Sequence, residues 1–136
     1  MNVLETEWWT LALPPEWWAE SEEGTILVGD RDEVGCIEIS TLCKEEGAFD
    51  ADDALHIAER ESEHSLVWDT VSLGDFTGVS SRYDEEDAAI REWYVVNGAL
   101  LLFITYSCDA DNAGMDDAAV DELLDTLLLN SVNEPD

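Results

Sequence analysis

The run Leu100-Leu101-Leu102-Phe103-Ile104 carries no polar side chain at any position. Drawn out as a strand, it sends Leu100, Leu102 and Ile104 to one side and Leu101 and Phe103 to the other, so a sheet built around it must be covered on both faces. The dipeptide Asn97-Gly98 just upstream suits the positive φ angles of a type I′ turn. That turn predicts a hairpin of strands 88–96 and 99–107, with Val96 facing Ala99, Val95 facing Leu100 and Trp93 facing Leu102. Segments 67–73 and 76–83 extend the meander, and 7–13, 25–28 and 35–42 read as further strands. Pro14-Pro15 stops the first of these, because proline donates nothing to a ladder. In 35–42, Ile37 and Ile39 alternate with Glu38 and Ser40, the period of a half-buried strand.

Two helices are available as covers. Asp50 is placed to cap one over 50–62, where Asp52 and Asp53 suit the positive end of the dipole and Ala54, Leu55 and Ala58 recur at helical spacing. The other starts at Asp116 or Asp117 and carries Ala119, Val120, Leu123, Leu124, Leu127 and Leu128 as one apolar stripe. The expected architecture is α+β: an antiparallel sheet of about six to seven strands flanked by helices on both faces, an α/β/α sandwich. A single domain is expected over 1–132, with 133–136 as a loose tail.

The outside of such a body is strongly acidic. Among 136 residues there are 34 acids and five bases, a formal net charge of -29, and Lys44 is the sole lysine. Charge of that density usually keeps a chain unfolded, but 46% hydrophobic residues and six tryptophans supply a core. Nucleic-acid backbones and anionic lipid would be repelled, so neither is an expected partner. The longest apolar run, 98–105, is too short to span a bilayer, and Met1-Asn2-Val3-Leu4-Glu5-Thr6-Glu7 lacks the form of a secretory signal. Cys36, Cys43 and Cys108 include no C-x-x-C pair, which suggests reduced thiols and a cytoplasmic location.

In chain order, a strand leaving through Leu13-Pro14-Pro15-Glu16-Trp17, the strand Cys36-Ile37-Glu38-Ile39-Ser40 and a helix come first. A meander through Trp93-Tyr94-Val95-Val96-Asn97-Gly98 and Leu102-Phe103-Ile104-Thr105-Tyr106, then a leucine-rich helix, complete the series. Over nearly its whole length this resembles the PsbP/Mog-like α/β/α sandwich, especially small bacterial proteins of that type with no assigned activity. The resemblance implies a partner-binding protein rather than an enzyme, since that type includes a Ran-GTPase-binding factor, photosystem extrinsic subunits and proteins of bacterial secretion systems. It transfers no catalytic residue to this chain.

Nor do the residues supply one: nucleophile elbow, P-loop and dinucleotide fingerprint are all missing, so neither catalysis nor a cofactor is expected. Asp109-Ala110-Asp111-Asn112-Ala113-Gly114 begins like a calcium loop but places Ala113 and Val120 where ligands are required, which fits turn formation better. His56 and His64 stand eight apart, too far to share a metal on one helix, and read as surface imidazoles.

A more specific grouping comes from register. With residues 84–87 as a four-residue loop, Ser80 faces Arg91 and Gly78 faces Trp93, so one sheet face carries Ser80, Arg82, Arg91 and Trp93. Guanidinium groups beside an indole could receive a carboxylate or an anionic peptide; local pairing with Asp84, Glu85 or Asp87 is the plainer outcome. The tandem pairs Trp8-Trp9 and Trp17-Trp18 send adjacent rings in opposite directions, making Trp17 and Trp18 candidates for an interface or for burial under the covers.

The expected function is therefore non-enzymatic: an acidic adaptor or immunity-type inhibitor that covers a basic protein partner, associated with a secretion system or a toxin, as monomer or dimer. The alternative is a small-molecule or anionic-ligand binder using the Arg/Trp face, its acidity reflecting a salt-adapted host.

Overall fold

A computed structural model describes residues 2–30, 34–61 and 67–129. Two antiparallel sheets organise it. The larger has β3 (Trp17–Glu22), β4 (Thr25–Asp30), β5 (Gly35–Cys43), β6 (Asp69–Leu73), β7 (Phe76–Glu85), β8 (Ala88–Asn97) and β9 (Leu100–Asp109), in the order β3-β4-β5-β9-β8-β7-β6. The smaller has β1 (Asn2–Glu5), β2 (Trp9–Leu13) and β10 (Leu128–Leu129), with β2 central. Helix α1 (Ala51–Glu61) follows β5, and α2 (Asp117–Leu124) follows β9 after a 3-10 turn at Ala110–Asn112.

The α/β/α expectation is overturned. Of the described residues 56% are strand and 18% helix, and helices do not form the two outer layers. The reason lies in the two ends of the chain. β2 buries Trp9, Leu11 and Leu13 completely or nearly so, yet it does not join the main sheet; it lies in the second sheet, and the Trp9 indole Nε1 donates to Thr41 Oγ1 of β5 at 2.9 Å. The leucine stripe expected to stay helical through Leu128 leaves the helix after Leu124. There the Thr126 hydroxyl donates to Leu123 O at 2.6 Å and accepts the Ala12 amide at 3.0 Å, and Leu128 and Leu129 pair with Thr10 and Trp9. That side of the main sheet is thus covered by a small sheet and an eight-residue helix together.

Among the described residues the opposite side is covered by α1, with Phe49 and Trp68 beside it; α1 packs on β7 and β8 through Ala54 and Ala58 against Val79, Tyr94, Val96 and Leu101. The apolar character of β9 on both faces is satisfied in this way: Leu100, Leu102 and Ile104 join the core under the small sheet, while Leu101 and Phe103 join the one under α1. α1 reaches no further than the middle strands. Over β3, β4 and β5 that face is left with Trp18, Glu20 and Glu38 exposed.

Two registers differ from expectation. Asn97 pairs with Leu100, so the turn is Gly98-Ala99, with Gly98 alone at positive φ (+59°), the φ pattern of a type II′ turn rather than I′ around Asn97-Gly98. Asn97 remains a strand residue whose Nδ2 donates to Asp75 O at 2.7 Å. Glu85 likewise pairs with Ala88, a tight turn at Glu86-Asp87 in place of a four-residue loop, so Arg91 faces Arg82, Trp93 faces Ser80 and Val95 faces Gly78. Each register moves by two positions, which preserves the alternation and leaves every side chain on its expected face. The proposed tail, 133–136, lies outside the described residues.

Candidate functional site

Ser80, Arg82, Arg91 and Trp93 do share one face, directly cross-paired on β7 and β8. What meets them there is α2. Arg91 donates from one terminal nitrogen to Asp117 Oδ1 at 3.3 Å and from the other to Asp121 Oδ1 at 2.8 Å, and its guanidinium carbon lies 4.6 Å from the centre of the Trp93 ring. Arg82 donates to the other oxygen of Asp117 at 3.1 Å. The acids that neutralise these arginines come from the closing helix, not from Asp84, Glu85 or Asp87 of the adjacent turn. Beside them is an open groove of about 530 Å³ holding Ser80, Arg91 and Trp93, with Asp121, Glu122 and Asp125 along it. An anion entering it meets carboxylates before it meets a free guanidinium donor.

The tryptophan pairs divide. Trp9 and Trp17 are buried, whereas Trp8 and Trp18 are 36% and 41% exposed. Trp18 lies flat over Gly29, where any β-carbon would collide with its ring, and its Nε1 donates to Asp30 O at 3.2 Å. It is an anchored aromatic surface on the uncovered half of the sheet.

A second concavity was not foreseen. Between α1 and the face of β5, β9, β8 and β7 lies a cleft of about 590 Å³. Leu101, Phe103 and Tyr94 line it from the sheet and Ile57 from the helix. The Tyr94 and Phe103 rings are stacked, centroids 4.7 Å apart, and Trp68 meets Tyr94 edge-on at 5.7 Å. Into this apolar setting β8 brings Glu92. The Tyr83 hydroxyl donates to its Oε2 at 2.8 Å, while its Oε1 is sealed from solvent and has no hydrogen-bond partner. Burial, then the hydrogen bond to Glu92 and its charge, hold the Tyr83 phenol well above the ordinary range. Tyr94 is pushed up to about 12, first by burial and then by Glu92 and Glu61. Arg60, at the rim, pairs with Glu61 at 3.3 Å. In the sequence Glu92 looked like one more acid of 34; its alternation with Ile90, Tyr94 and Val96 was the available signal that it points under a helix.

Among the described residues no group of three or more His, Cys, Asp or Glu converges for a metal; Asp109 and Gly114 flank the 3-10 turn, His56 is exposed, and His64 lies outside the described residues. Cys36, Cys43 and Cys108 are free thiols, Cys36 with its pKa raised by burial and then by Glu38. No described helix is long and apolar enough to cross a membrane.

No family model and no curated protein sequence match this chain. Similar solved structures include two of bacterial origin. A Bacteroides thetaiotaomicron protein is 20% identical with a TM-score of 0.68 over 93% of this chain and 47% of its own, so the chain spans about half its length. LpqN of Mycobacterium tuberculosis, described as involved in cell envelope biogenesis, is 16% identical with a TM-score of 0.61 over 90% of this chain and 83% of its own. At such identities the likeness shows the fold alone, and neither name speaks of PsbP/Mog-like proteins.

Proposed function

We propose that this chain is a non-enzymatic module that binds a basic protein partner, as an adaptor or immunity-type inhibitor does, in a reducing cytoplasm. One observation carries the reading: each described basic side chain is engaged within the molecule. Arg82 and Arg91 are held by Asp117 and Asp121, Arg60 by Glu61, and Lys44 by Ala48 O at 3.1 Å and the Phe49 ring at 4.5 Å. The acid excess behind the formal charge of -29 is therefore not offset by any unengaged described lysine or arginine, and its field speeds encounter with a basic surface and rejects acidic ones. The free cysteines fit the compartment.

The test begins with affinity capture from the source cell, followed by reconstitution with the purified captured protein. A basic partner that rebinds at fixed stoichiometry, with an association rate falling steeply as salt rises, is the expected result. A partner without basic surface, or an association rate indifferent to salt, would overturn the reading.

A further inference from the structure

We infer that the cleft beside α1 receives one cationic side chain of the partner, a lysine ammonium or an arginine guanidinium, with Glu92 as its counter-charge. This rests on the proposed binding of a basic protein and names the point at which specificity is read.

The chemistry of the cleft selects the occupant. Glu92 keeps one oxygen satisfied by Tyr83, whose hydroxyl proton is thereby committed, and leaves Oε1 without a donor and closed to solvent behind the cleft lining, so an entering cation reaches it only as a lining side chain gives way. A carboxylate oxygen in that condition is complemented by an N–H that carries positive charge. The cation at the rim does not supply it, because Arg60 is turned to Glu61. Glu61 and Glu85 at the same rim disfavour an anionic occupant. A bare divalent ion is poorly served, since the oxygen ligands it requires do not converge there: the described residues contain no such group. Leu101, Phe103, Tyr94 and Ile57 offer apolar surface to an alkyl stem and aromatic rings to the charge it ends in. The volume, about 590 Å³, is within the range of sites that enclose a small group rather than graze it. α1 packs chiefly on β7 and β8, and the cleft opens between it and β5.

The experiment follows backbone amide and side-chain methyl NMR signals of the intact chain during titration with a capped Ala-Lys-Ala peptide, and with the same peptide carrying norleucine, which keeps the stem and removes the charge. Saturable shifts centred on Leu101, Phe103, Tyr94 and Ile57, and about tenfold weaker binding of the norleucine peptide, are expected. Glu92→Gln keeps an oxygen for Tyr83 and removes the charge; it should weaken the lysine peptide about tenfold, whereas Glu20→Gln on β3 should leave it nearly unchanged. Should Glu92→Gln prove unfolded, Ser40→Lys, which sets an ammonium at the cleft wall, should block the peptide where Ser21→Lys on β3 does not. Shifts scattered over the acidic exterior, or equal losses in Glu92→Gln and Glu20→Gln, would overturn the inference.

Failure here is separable from failure of the proposed function. A reconstituted basic partner that binds wild type and Glu92→Gln alike in a salt-dependent manner refutes the cleft and keeps the module. Peptide shifts in the cleft without any basic partner from the cell do the reverse.

Discussion

Arg91 stands directly across the ladder from Arg82, an arrangement two guanidinium groups would avoid with nothing between them. Asp117 gives one oxygen to each, and Asp121 completes Arg91. The two are nonetheless unequal, because the Arg91 side chain is 12% exposed and that of Arg82 is 61% exposed. Arg91→Ala would strip the Trp93 ring of its cover and leave Asp117 with a single exposed partner, so a loss of about 2–3 kcal/mol is expected in urea unfolding. Arg82→Ala should cost under about 1 kcal/mol. Equal losses would show that Arg91 acts through charge alone. Tyr94 makes a different prediction. Its phenol keeps its proton to about pH 12 in the folded chain, by burial and then by Glu92 and Glu61, whereas in the unfolded chain it titrates near about 10. The stability this represents is fully present below about pH 10 and is lost as pH rises toward 12, because the unfolded state releases the proton first. Tyr83, also raised, acts in the same direction. In Tyr94→Phe the fall of the urea midpoint between about pH 9.5 and 11.5 should be shallower than in wild type; parallel falls would mean the Tyr94 proton is not linked to folding.

At the scale of elements, α1 is held at its start by a reciprocal cap. The Asp53 amide donates to Asp50 Oδ1 and the Asp50 amide to Asp53 Oδ2, both at 2.9 Å. Asp50→Ala should lower stability by about 1 kcal/mol and Asp50→Asn by much less, measured as denaturant midpoints; equal losses would assign the effect to the dipole rather than to the hydrogen bond. This cap, the helix behind it and the β7-β8-β9 meander were legible because their signals are local: a capping aspartate, a glycine turn, an alternation of period two. The face shared by Ser80, Arg82, Arg91 and Trp93 was legible for the same reason, since a register moved by two keeps parity. β3 was missed, its Trp17–Glu22 run carrying Glu20, Ser21 and Glu22, and its turn to β4 is marked by Gly24 at φ +88° beside Glu23 at +47°. The departure of β2 into a second sheet has no local signal at all, since it depends on Thr126 and Leu128–Leu129 arriving more than a hundred residues later. The cleft was hidden likewise. Helical spacing in α1 shows which face it buries, but not that the buried face falls chiefly on β7 and β8.

For the molecule as a whole, the acids have two consequences of opposite sign under salt. Within the chain, 34 carboxylates repel one another across a surface whose described arginines are already paired, so folding works against its own field. Raising sodium chloride from about 0.02 M to about 1 M shortens the screening distance from tens of ångströms to about 3 Å, and the melting temperature should rise by several degrees or more. Between the chain and a basic partner the same screening removes the attraction, so the association rate should fall over that interval. A salt-adapted host accounts for the first change and makes no demand on the second, whereas a binding module requires both. Measured on one preparation, a rising melting temperature with a falling association rate supports recognition by charge. A rising melting temperature with an unchanged rate would assign the acidity to habitat, and would leave Glu92, enclosed in its aromatic cleft where added ions screen poorly, as the carboxylate whose charge still has a recognisable task.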